Sequence, residues 1–369
     1  MGANQTRLCI ALAVALLPCG TQAGERFVPG QIFTTEARPE GCQFGQPEWI
    51  RVIEPRTGAS WFLADDDDGL CTAMGLTFTP DGTHLRVANY TSSTIMDFDP
   101  AGNGEIIYDR DDALRQPGSS NGLTFDAAGN FYVINGGDAR ILKFFADGRG
   151  PVVFADHDDG LIRGGGLAFS SSGDLFVAQD RYIFRFDPDG MGTVFDDLGR
   201  SDGAYTLVFD PLGNLFVGAV QFGPNEKVFR YDDGQADSRR ILADGFDSAR
   251  LTLTLSPDQR ELYLVVSHYI WGIDVDTGAT RVVFQFPDGG FHARGNGIAV
   301  FVPPLPGDIN GDEVVDVGDH AVFVACMGGP GVEEPPDGCD EIDFRYADLD
   351  FDYDVDIKDF TLLAVAMGN

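Results

Sequence analysis

The segment Gly122-Leu-Thr-Phe-Asp-Ala-Ala-Gly129 decides the fold, because close copies of it recur along the chain. The copies are residues 75–82, 166–173, 206–213, 252–258 and 297–300. Each copy is typical of a short strand of alternating residues that ends in a tight turn. Their shared apolar position, at Leu76, Leu123, Leu167, Leu207, Leu253 and Ile298, recurs every 40–47 residues. This is the length of a four-stranded blade, so the sequence predicts a mainly β protein, a β-propeller.

The number of blades follows from the segments between the copies. The copy at Gly122 is followed by three more predicted strands, at residues 131–134, 141–144 and 152–154, and the other units repeat this order. Five complete units end near Phe286, and residues 297–302 supply only a first strand. The missing three strands are predicted at residues 31–35, 49–53 and 61–63. We therefore expect six blades, with the sixth closed by both termini so that no sheet edge is left open in the ring.

The sequence pattern of the repeat over residues 27–302 resembles that of the six-bladed propellers of the NHL-repeat and gluconolactonase-like superfamily. Fold is what this resemblance implies most directly. Lactonases of the superfamily hold a divalent metal with a Glu and with Asn or Asp residues at the inner ends of several blades. The matching positions are Met74, Asn121, Gly165, Tyr205, Thr252 and Asn296. Only Asn121 and Asn296 carry ligand side chains, so the metal site of the superfamily is incomplete here.

Charge excludes two classes of partner. The chain has 25 Lys and Arg against 58 Asp and Glu, a formal net charge of −33 at pH 7. Such a chain repels phosphate backbones and anionic lipids, which argues against nucleic-acid binding and membrane docking. No stretch of the mature chain approaches the eighteen or so apolar residues that a membrane span needs. Cations are the natural partners of this protein.

Residues 1–23 have the pattern of a secretory signal peptide. A single charge at Arg7 precedes an apolar run over residues 8–17, and small residues lead to a cleavage site near Ala23. The mature protein is therefore expected to be secreted or extracytoplasmic.

Cleavage leaves four cysteines, Cys42, Cys71, Cys326 and Cys339, an even number that suits an oxidising compartment. The blade topology places Cys42 and Cys71 on one rim of the propeller. Cys326 and Cys339 lie in one Gly- and Pro-rich connection. We expect the disulfides Cys42–Cys71 and Cys326–Cys339.

The composition changes after residues 303–307, a Pro-rich segment that we interpret as a linker between a propeller at residues 24–302 and a module at residues 308–369. The module has 17 acidic residues against only Arg345 and Lys358. Two twelve-residue segments, 308–319 and 348–359, repeat at a spacing of 40 and place oxygen ligands in the register of calcium loops. The expected ligands are Asp308, Asn310, Asp312, Asp316, Asp319, Asp348, Asp350, Asp352, Asp356 and Asp359, with the backbone carbonyls of Val314 and Asp354 at position 7.

This duplicated loop, followed each time by an apolar helix, is similar to the dockerin domain, and the resemblance covers residues 307–369. It implies about two calcium ions and a cohesin-like protein or cell-surface partner. It also implies that each loop lacks the helix that enters an EF-hand. Two features depart from the pattern. Position 6, usually a Gly with positive φ, is Glu313 and Tyr353. Positions 10 and 11, where dockerins bind cohesins partly through hydroxyl groups, are Val317-Gly318 and Ile357-Lys358.

The longer inter-blade loops share one rim with the turns between second and third strands, so a propeller ligand is expected there. The candidate residues of this funnel are Asn121, His157, Arg163, His268, His292, Arg294 and Asn296. One arginine per loop, at Arg115, Arg163, Arg200, Arg250 and Arg294, predicts a site for an anionic carbohydrate or a peptide. The alternative is that each arginine pairs with an aspartate of its own loop, such as Asp112 or Asp202, and that the histidines are ordinary polar loop residues.

Two functions fit these patterns. In the preferred one, a secreted propeller without catalytic activity acts as a binding or scaffold protein, attached to a partner or surface through the calcium-dependent module. In the alternative, the funnel holds a hydrolase or lyase site for a carbohydrate or lactone, as in polysaccharide catabolism, and the module targets the enzyme. No paired-carboxylate or nucleophile pattern stands out in the propeller segment, which leaves catalytic residues unassigned.

Overall fold

The structure, a computed structural model, describes residues 26–37, 48–117, 122–162, 164–221, 225–247, 251–287 and 294–368. These residues form six antiparallel sheets of four strands each. The signal peptide predicted at residues 1–23 lies outside them.

Each sheet is one blade, with its first strand innermost. The first blade is built from both ends of the ring, with β24 (Arg294–Val300) next to β1 (Ile32–Ala37), β2 (Trp49–Ile53) and β3 (Ser60–Asp65). The second comprises β4 (Ala73–Phe78), β5 (Leu85–Asn89), β6 (Thr94–Phe98) and β7 (Gly104–Tyr108). The third comprises β8 (Leu123–Phe125), β9 (Phe131–Asn135), β10 (Arg140–Phe144) and β11 (Val152–Ala155).

The remaining three blades continue in chain order. The fourth comprises β12 (Leu167–Phe169), β13 (Leu175–Gln179), β14 (Tyr182–Phe186) and β15 (Gly192–Asp197). The fifth comprises β16 (Asp202–Phe209), β17 (Leu215–Gln221), β18 (Glu226–Tyr231) and β19 (Arg240–Phe246). The sixth comprises β20 (Leu251–Leu255), β21 (Glu261–Val266), β22 (Tyr269–Asp274) and β23 (Thr280–Gln285).

The blades close into a ring. Neighbouring innermost strands contact each other in the order β24, β4, β8, β12, β16 and β20, and β20 contacts β24. The shared apolar position of the repeat lies on these strands, and all six residues there are at most 5% exposed. The six-bladed propeller predicted from the repeat is confirmed.

The ring is closed by pairing between the two ends of the propeller segment. Strand β1 pairs antiparallel with β24, with Thr34 opposite Ile298. The fully buried Thr34 hydroxyl donates to the carbonyl of Gly297 at 2.9 Å. This is the closure by both termini that the repeat count predicts.

A buried amide at the end of a second strand holds the turn that precedes its blade. Asn89 accepts from the Cys71 N–H at 3.0 Å and donates to the Gly69 carbonyl at 3.3 Å. Asn135 bridges Arg115 and Ala113, and Gln179 bridges Ile162 and Gly160, in the same way. All three amides are at most 1% exposed. They satisfy backbone groups that an irregular turn would otherwise bury unpaired.

Glycines in the turns between third and fourth strands make the contact between successive blades. Gly190 has a φ of +87°, and a Cβ there would lie 2.1 Å from the Phe154 carbonyl oxygen of the preceding blade. Gly102 and Gly278 approach the carbonyls of Leu63 and Leu242 equally closely. The Asp-Gly turns therefore serve packing between blades as well as chain reversal.

We expect Gly190→Ala to destabilise the propeller by about 3 kcal/mol, because it combines a positive-φ penalty with a backbone clash. Gly213→Ala is the matched control. Gly213 has a φ of +90° but open space around its Cβ position, so only the conformational penalty of about 1 kcal/mol applies. Urea unfolding of the two variants measures the difference, and equal losses of stability would contradict the role in blade contact.

The C-terminal module contains α1 (Val317–Cys326), α2 (Glu341–Ala347) and α3 (Ile357–Met367). Helices α1 and α3 are the two apolar helices predicted after the loops, over residues 320–327 and 360–367. Each begins three residues before its predicted start, because Asp316 and Asp356 form capping boxes at their N-termini. Helix α2 is a difference from the expected pattern, since it enters the second loop directly. No helix in the described part of the chain is long and apolar enough to cross a membrane.

Helix α2 packs against the residues that lead into β1. Arg345, 7% exposed, donates to the Pro29 carbonyl at 2.9 Å and lies 3.4 Å from Glu54. The Tyr346 hydroxyl donates to the Phe27 carbonyl at 3.0 Å. Phe27 belongs to a core that also contains Phe344 of α2. The module and the first two blades thus share one hydrophobic core.

Arg345→Ala should lower the free energy of unfolding by about 2 kcal/mol, because it leaves the buried Pro29 carbonyl without its donor and Glu54 without its cation. Arg149→Ala is the control: the Arg149 side chain is 72% exposed and pairs with Asp147 of its own turn, so a change below about 0.5 kcal/mol is expected. Chemical denaturation of both variants in calcium tests this. Similar stabilities for the two variants would argue against the anchoring role.

Candidate calcium centre

The first acidic loop brings its predicted ligands together. Carboxylate oxygens of Asp308, Asp312 and Asp319 lie within 4.8 Å of one another. Asp319, fully buried, accepts from the N–H groups of Ile309 and Asp316 at 2.7 and 2.8 Å. These bonds fold the loop around its own last residue, so that hard oxygen donors face a common point.

The second loop repeats this arrangement forty residues later. Oxygens of Asp348, Asp350 and Asp352 lie within 4.8 Å of one another. Asp359, again fully buried, accepts from the N–H groups of Leu349 and Asp356 at 2.7 and 2.8 Å. Lys358 donates to Asp352 and lies 3.8 Å from Asp350.

Position 6 has the backbone that the loop type demands. Glu313 and Tyr353 have φ values of +67° and +73°, in the left-handed region that favours Gly. The Tyr353 ring lies 5.3 Å from the Arg345 guanidinium and 5.6 Å from that of Arg56. A side chain at position 6 of the second loop therefore gains contacts with α2 and with the turn between β2 and β3.

Three carboxylates of the second loop, those of Asp348, Asp350 and Asp359, have raised pKa values when no cation is near. Burial and the neighbouring Asp359 carboxylate raise the pKa of Asp348 to about 7. The same two causes raise the pKa of Asp350, and burial raises that of Asp359. For Asp352, burial acts in the same direction, but the hydrogen bond from Lys358 outweighs it and the pKa is lowered. A divalent cation would relieve this repulsion, so the donor set fits calcium.

Asp354 offers a donor that the sequence pattern did not assign. Position 7 contributes its backbone carbonyl in such loops, yet the Asp354 carboxylate lies within 4.8 Å of those of Asp356 and Asp359. One oxygen accepts from Gly331 at 2.6 Å. The other is buried and has no hydrogen-bond partner among the described residues. The first loop has Val314 at this position, so the asymmetry between the loops is visible in the sequence.

Most of the predicted funnel residues fall outside the described side chains. Asn121, Arg163 and His292 lie outside the described residues, and Arg294 and Asn296 are described only as part of β24. His157 is exposed in the turn after β11, whereas His268 lies between β21 and β22. Because the third and sixth blades are three places apart in the ring, the structure does not bring these two histidines together.

The predicted pairing of loop arginines with loop aspartates is not what the described residues show. Arg115 donates to the backbone carbonyls of Arg110 and Leu114. Asp112 instead accepts from the Asp109 N–H at 3.0 Å, in a capping box of its turn. Asp202 pairs with Lys227 at 3.0 Å. Asp112 thus serves its own turn, and Asp202 pairs with a lysine on another strand of its blade.

The structure contains the expected disulfide between Cys326 and Cys339, which joins the end of α1 to the segment before α2. Cys71 is also disulfide-bonded. Cys42 lies outside the described residues, so the Cys42–Cys71 pairing stays a prediction.

Calcium binding to the second loop is expected to release protons, because an ion binds the Asp348 carboxylate only in its ionised form. Near pH 7, where Asp348 is about half protonated, this group should release on the order of half a proton per chain. Calcium affinity should fall as the pH is lowered from about 8 to about 6. Calorimetric calcium titration in two buffers of different ionisation enthalpy measures this release, and equal heats in both buffers at pH 7 would contradict the raised pKa.

Comparison with known proteins agrees with this geometry. Residues 306–367 match the family model described as the dockerin type I domain. No curated protein matches the chain. A chain in the crystal structure of a nidogen/laminin complex has 15% identity and a TM-score of 0.57, over 74% of this chain and 98% of that one.

A gluconolactonase from Xanthomonas campestris has 16% identity and a TM-score of 0.51, over 70% of this chain and 87% of that one. At these identities the likenesses show the fold alone. The chain is a six-bladed β-propeller that carries a dockerin type I domain at its C-terminus.

Proposed function

We propose that this protein is a secreted propeller that attaches through its dockerin domain, in a calcium-dependent manner, to a cohesin-like protein or cell-surface partner. The dockerin match and the two acidic loops support calcium-dependent attachment. The pattern of residues 1–23 supports secretion. In this proposal the propeller is the binding or scaffold domain that the attachment delivers, and about two calcium ions fold the loops.

The observation that carries the proposal is a pair of equivalent exposed apolar residues. Val317 and Ile357 occupy position 10 of the two loops, forty residues apart, and are 75% and 65% exposed. Further along the helices, Val324 and Val365 are 55% and 61% exposed. Exposed apolar side chains of this size on a small domain favour a protein contact.

The rest of the dockerin domain has other contacts. Phe323 of α1 and Leu363 of α3 are fully buried in the shared core. Helix α2 packs against the propeller through Arg345 and Tyr346. The apolar positions of α1 and α3 are thus the ones left for a partner. Val317 and Ile357 lack the hydroxyl groups through which other dockerins bind cohesins. The partner surface that faces them should therefore be apolar.

A calcium-loaded full chain should bind a type I cohesin or a related cohesin immobilised on a sensor surface, and EDTA should abolish binding. The double variant V317K/I357K should bind at least about tenfold more weakly, because a charge replaces an apolar contact in both halves. Leu212→Lys is the matched control, since Leu212 is 81% exposed on the propeller turn between β16 and β17. Binding by the double variant at the strength of the control would overturn the proposed surface, and failure of every cohesin would overturn the cohesin part.

The alternative function, a hydrolase or lyase for a carbohydrate or lactone in the funnel, has less support. The likeness to a gluconolactonase concerns the fold. At the positions that correspond to metal ligands in that superfamily, Met74 and Thr252 are buried residues without carboxylates. An anionic carbohydrate or peptide as funnel ligand rests on the five loop arginines. The side chains of Arg163, Arg250 and Arg294 are outside those described, and Arg115 donates to backbone carbonyls of its own turn.

A further inference from the structure

A cavity of about 530 Å³ lies between the fifth and sixth blades, among the outer strands β19, β22 and β23. It is separate from the central funnel, which is bordered by the innermost strands, and from the dockerin domain. One wall is the end of β19 with Phe246, and the other is the face of β22 with Tyr269 and Trp271. A hydrogen bond of 2.6 Å from the Ser267 hydroxyl to the Asp247 carbonyl joins the two walls.

The aromatic wall is a continuous set of rings. Tyr269 and Trp271 are alternate residues of one strand and therefore project from the same face of the sheet. Their ring centroids are 5.7 Å apart, and the Phe246 ring packs edge-on against Trp271 at 6.0 Å. Phe246 is only 6% exposed, whereas Tyr269 and Trp271 are half-buried and line the cavity. Phe246 thus supports Trp271, whose remaining surface is available to a ligand.

The polar lining includes two carboxylates and one unpaired nitrogen. Asp244 and Asp247 are exposed and line the cavity. His268 also lines it, and its Nδ1 atom is buried without a hydrogen-bond partner among the described residues. A buried polar atom of this kind is normally paired, and none of the described residues pairs with it, so it is open to a hydrogen bond from a ligand.

We propose that this cavity binds a neutral saccharide unit of a glycan. The C–H face of a sugar ring carries a small positive potential and packs on the negative face of an indole or phenol ring. Its hydroxyl groups donate to carboxylates such as Asp244 and Asp247 and pair with the unpaired His268 nitrogen. An apolar wall with a few convergent polar groups is the usual composition of a small-ligand site.

The charge of the lining selects against anionic sugars. The ten described residues that line the cavity include two aspartates and no lysine or arginine. A uronic acid would place its carboxylate beside theirs, and none of the described lining residues is a lysine or arginine that could pair with it. The lining residues all belong to the fifth and sixth blades and to the segment between them, so the site is distinct from the dockerin domain.

The experiment is a binding screen of the full chain in EDTA against immobilised neutral oligosaccharides, namely β-1,4-glucan, xylan, mannan, galactan and chitin fragments, with oligogalacturonate as the anionic probe. Affinity for the best neutral ligand is then measured by calorimetry. Trp271→Ala should weaken it by at least about tenfold, and Asp247→Asn by a smaller factor. Trp61→Ala is the matched control, since Trp61 is 42% exposed on β3 of the first blade.

Trp271→Phe keeps a ring in the wall and should retain more affinity than Trp271→Ala, which separates loss of the platform from loss of the fold. The proposal is overturned if no neutral oligosaccharide binds, or if Trp271→Ala and Asp247→Asn both bind like the Trp61→Ala control. It is also overturned if oligogalacturonate binds as tightly as the neutral fragments. A tetramethylammonium ion that binds where the neutral sugars do not would assign the aromatic wall to cations instead.

Discussion

The pairing of β1 with β24 is the interaction on which the rest of the molecule depends. A ring of blades has one seam, and here that seam is a strand from each end of the propeller segment. Bringing those ends together costs the loop-closure entropy of the whole ring. The pairing within the first blade must offset that cost. The dockerin domain follows β24 directly and returns to hold Phe27 and Pro29, the residues just before β1. Both sides of the seam are thereby fixed by the same small domain.

Part of the negative charge of the propeller is a consequence of how its turns are built. Three turns at blade junctions begin with an aspartate that caps a short helix and receives a second aspartate in return, at Asp65, Asp109 and Asp156. These carboxylates pair with backbone N–H groups that an irregular turn leaves exposed. The acidic residues of these three turns are therefore structural, and their presence is weak support for a metal or ligand site.

The sequence predicts the features that repeat along the chain, but it does not predict contacts that occur only once. Blade number, ring closure and both calcium loops follow from periods of about 45 and 40 residues, because each copy confirms the reading of the others. Contacts such as Arg26 to Ile309 and Arg345 to Pro29 join residues about three hundred positions apart and occur once, so no period reveals them. The sequence shows Arg345 only as one of two cations in an acidic module. This indicates that the residue matters but does not predict which group it contacts.

The aspartate at position 7 and the aromatic wall of β22 were missed for a different reason. In the sequence, Asp354 is one more acidic residue in an acidic loop. Only the structure shows that one of its carboxylate oxygens is buried without a hydrogen-bond partner among the described residues. In the sequence, Tyr269 and Trp271 are ordinary strand residues. The alternation of side chains along a strand predicts that the two share one face of the sheet, but it does not predict that the adjacent blade leaves this face open. Such sites depend on how two blades meet, which is a property of the three-dimensional ring.

The position of α2 determines what the dockerin domain is free to do. Since α2 is buried against the propeller, α1 and α3 are the helices that remain for a partner, and the second loop connects α2 to α3. Tyr353 of that loop accepts a left-handed backbone, at a cost of about 1 kcal/mol, and its ring gains the contacts with Arg345 and Arg56. The second loop therefore fixes the direction in which α3 leaves the propeller. A Gly at position 6 would adopt the left-handed backbone without strain but would lose the ring contacts with Arg345 and Arg56, so Tyr353 exchanges a small conformational cost for contact with the propeller and α2.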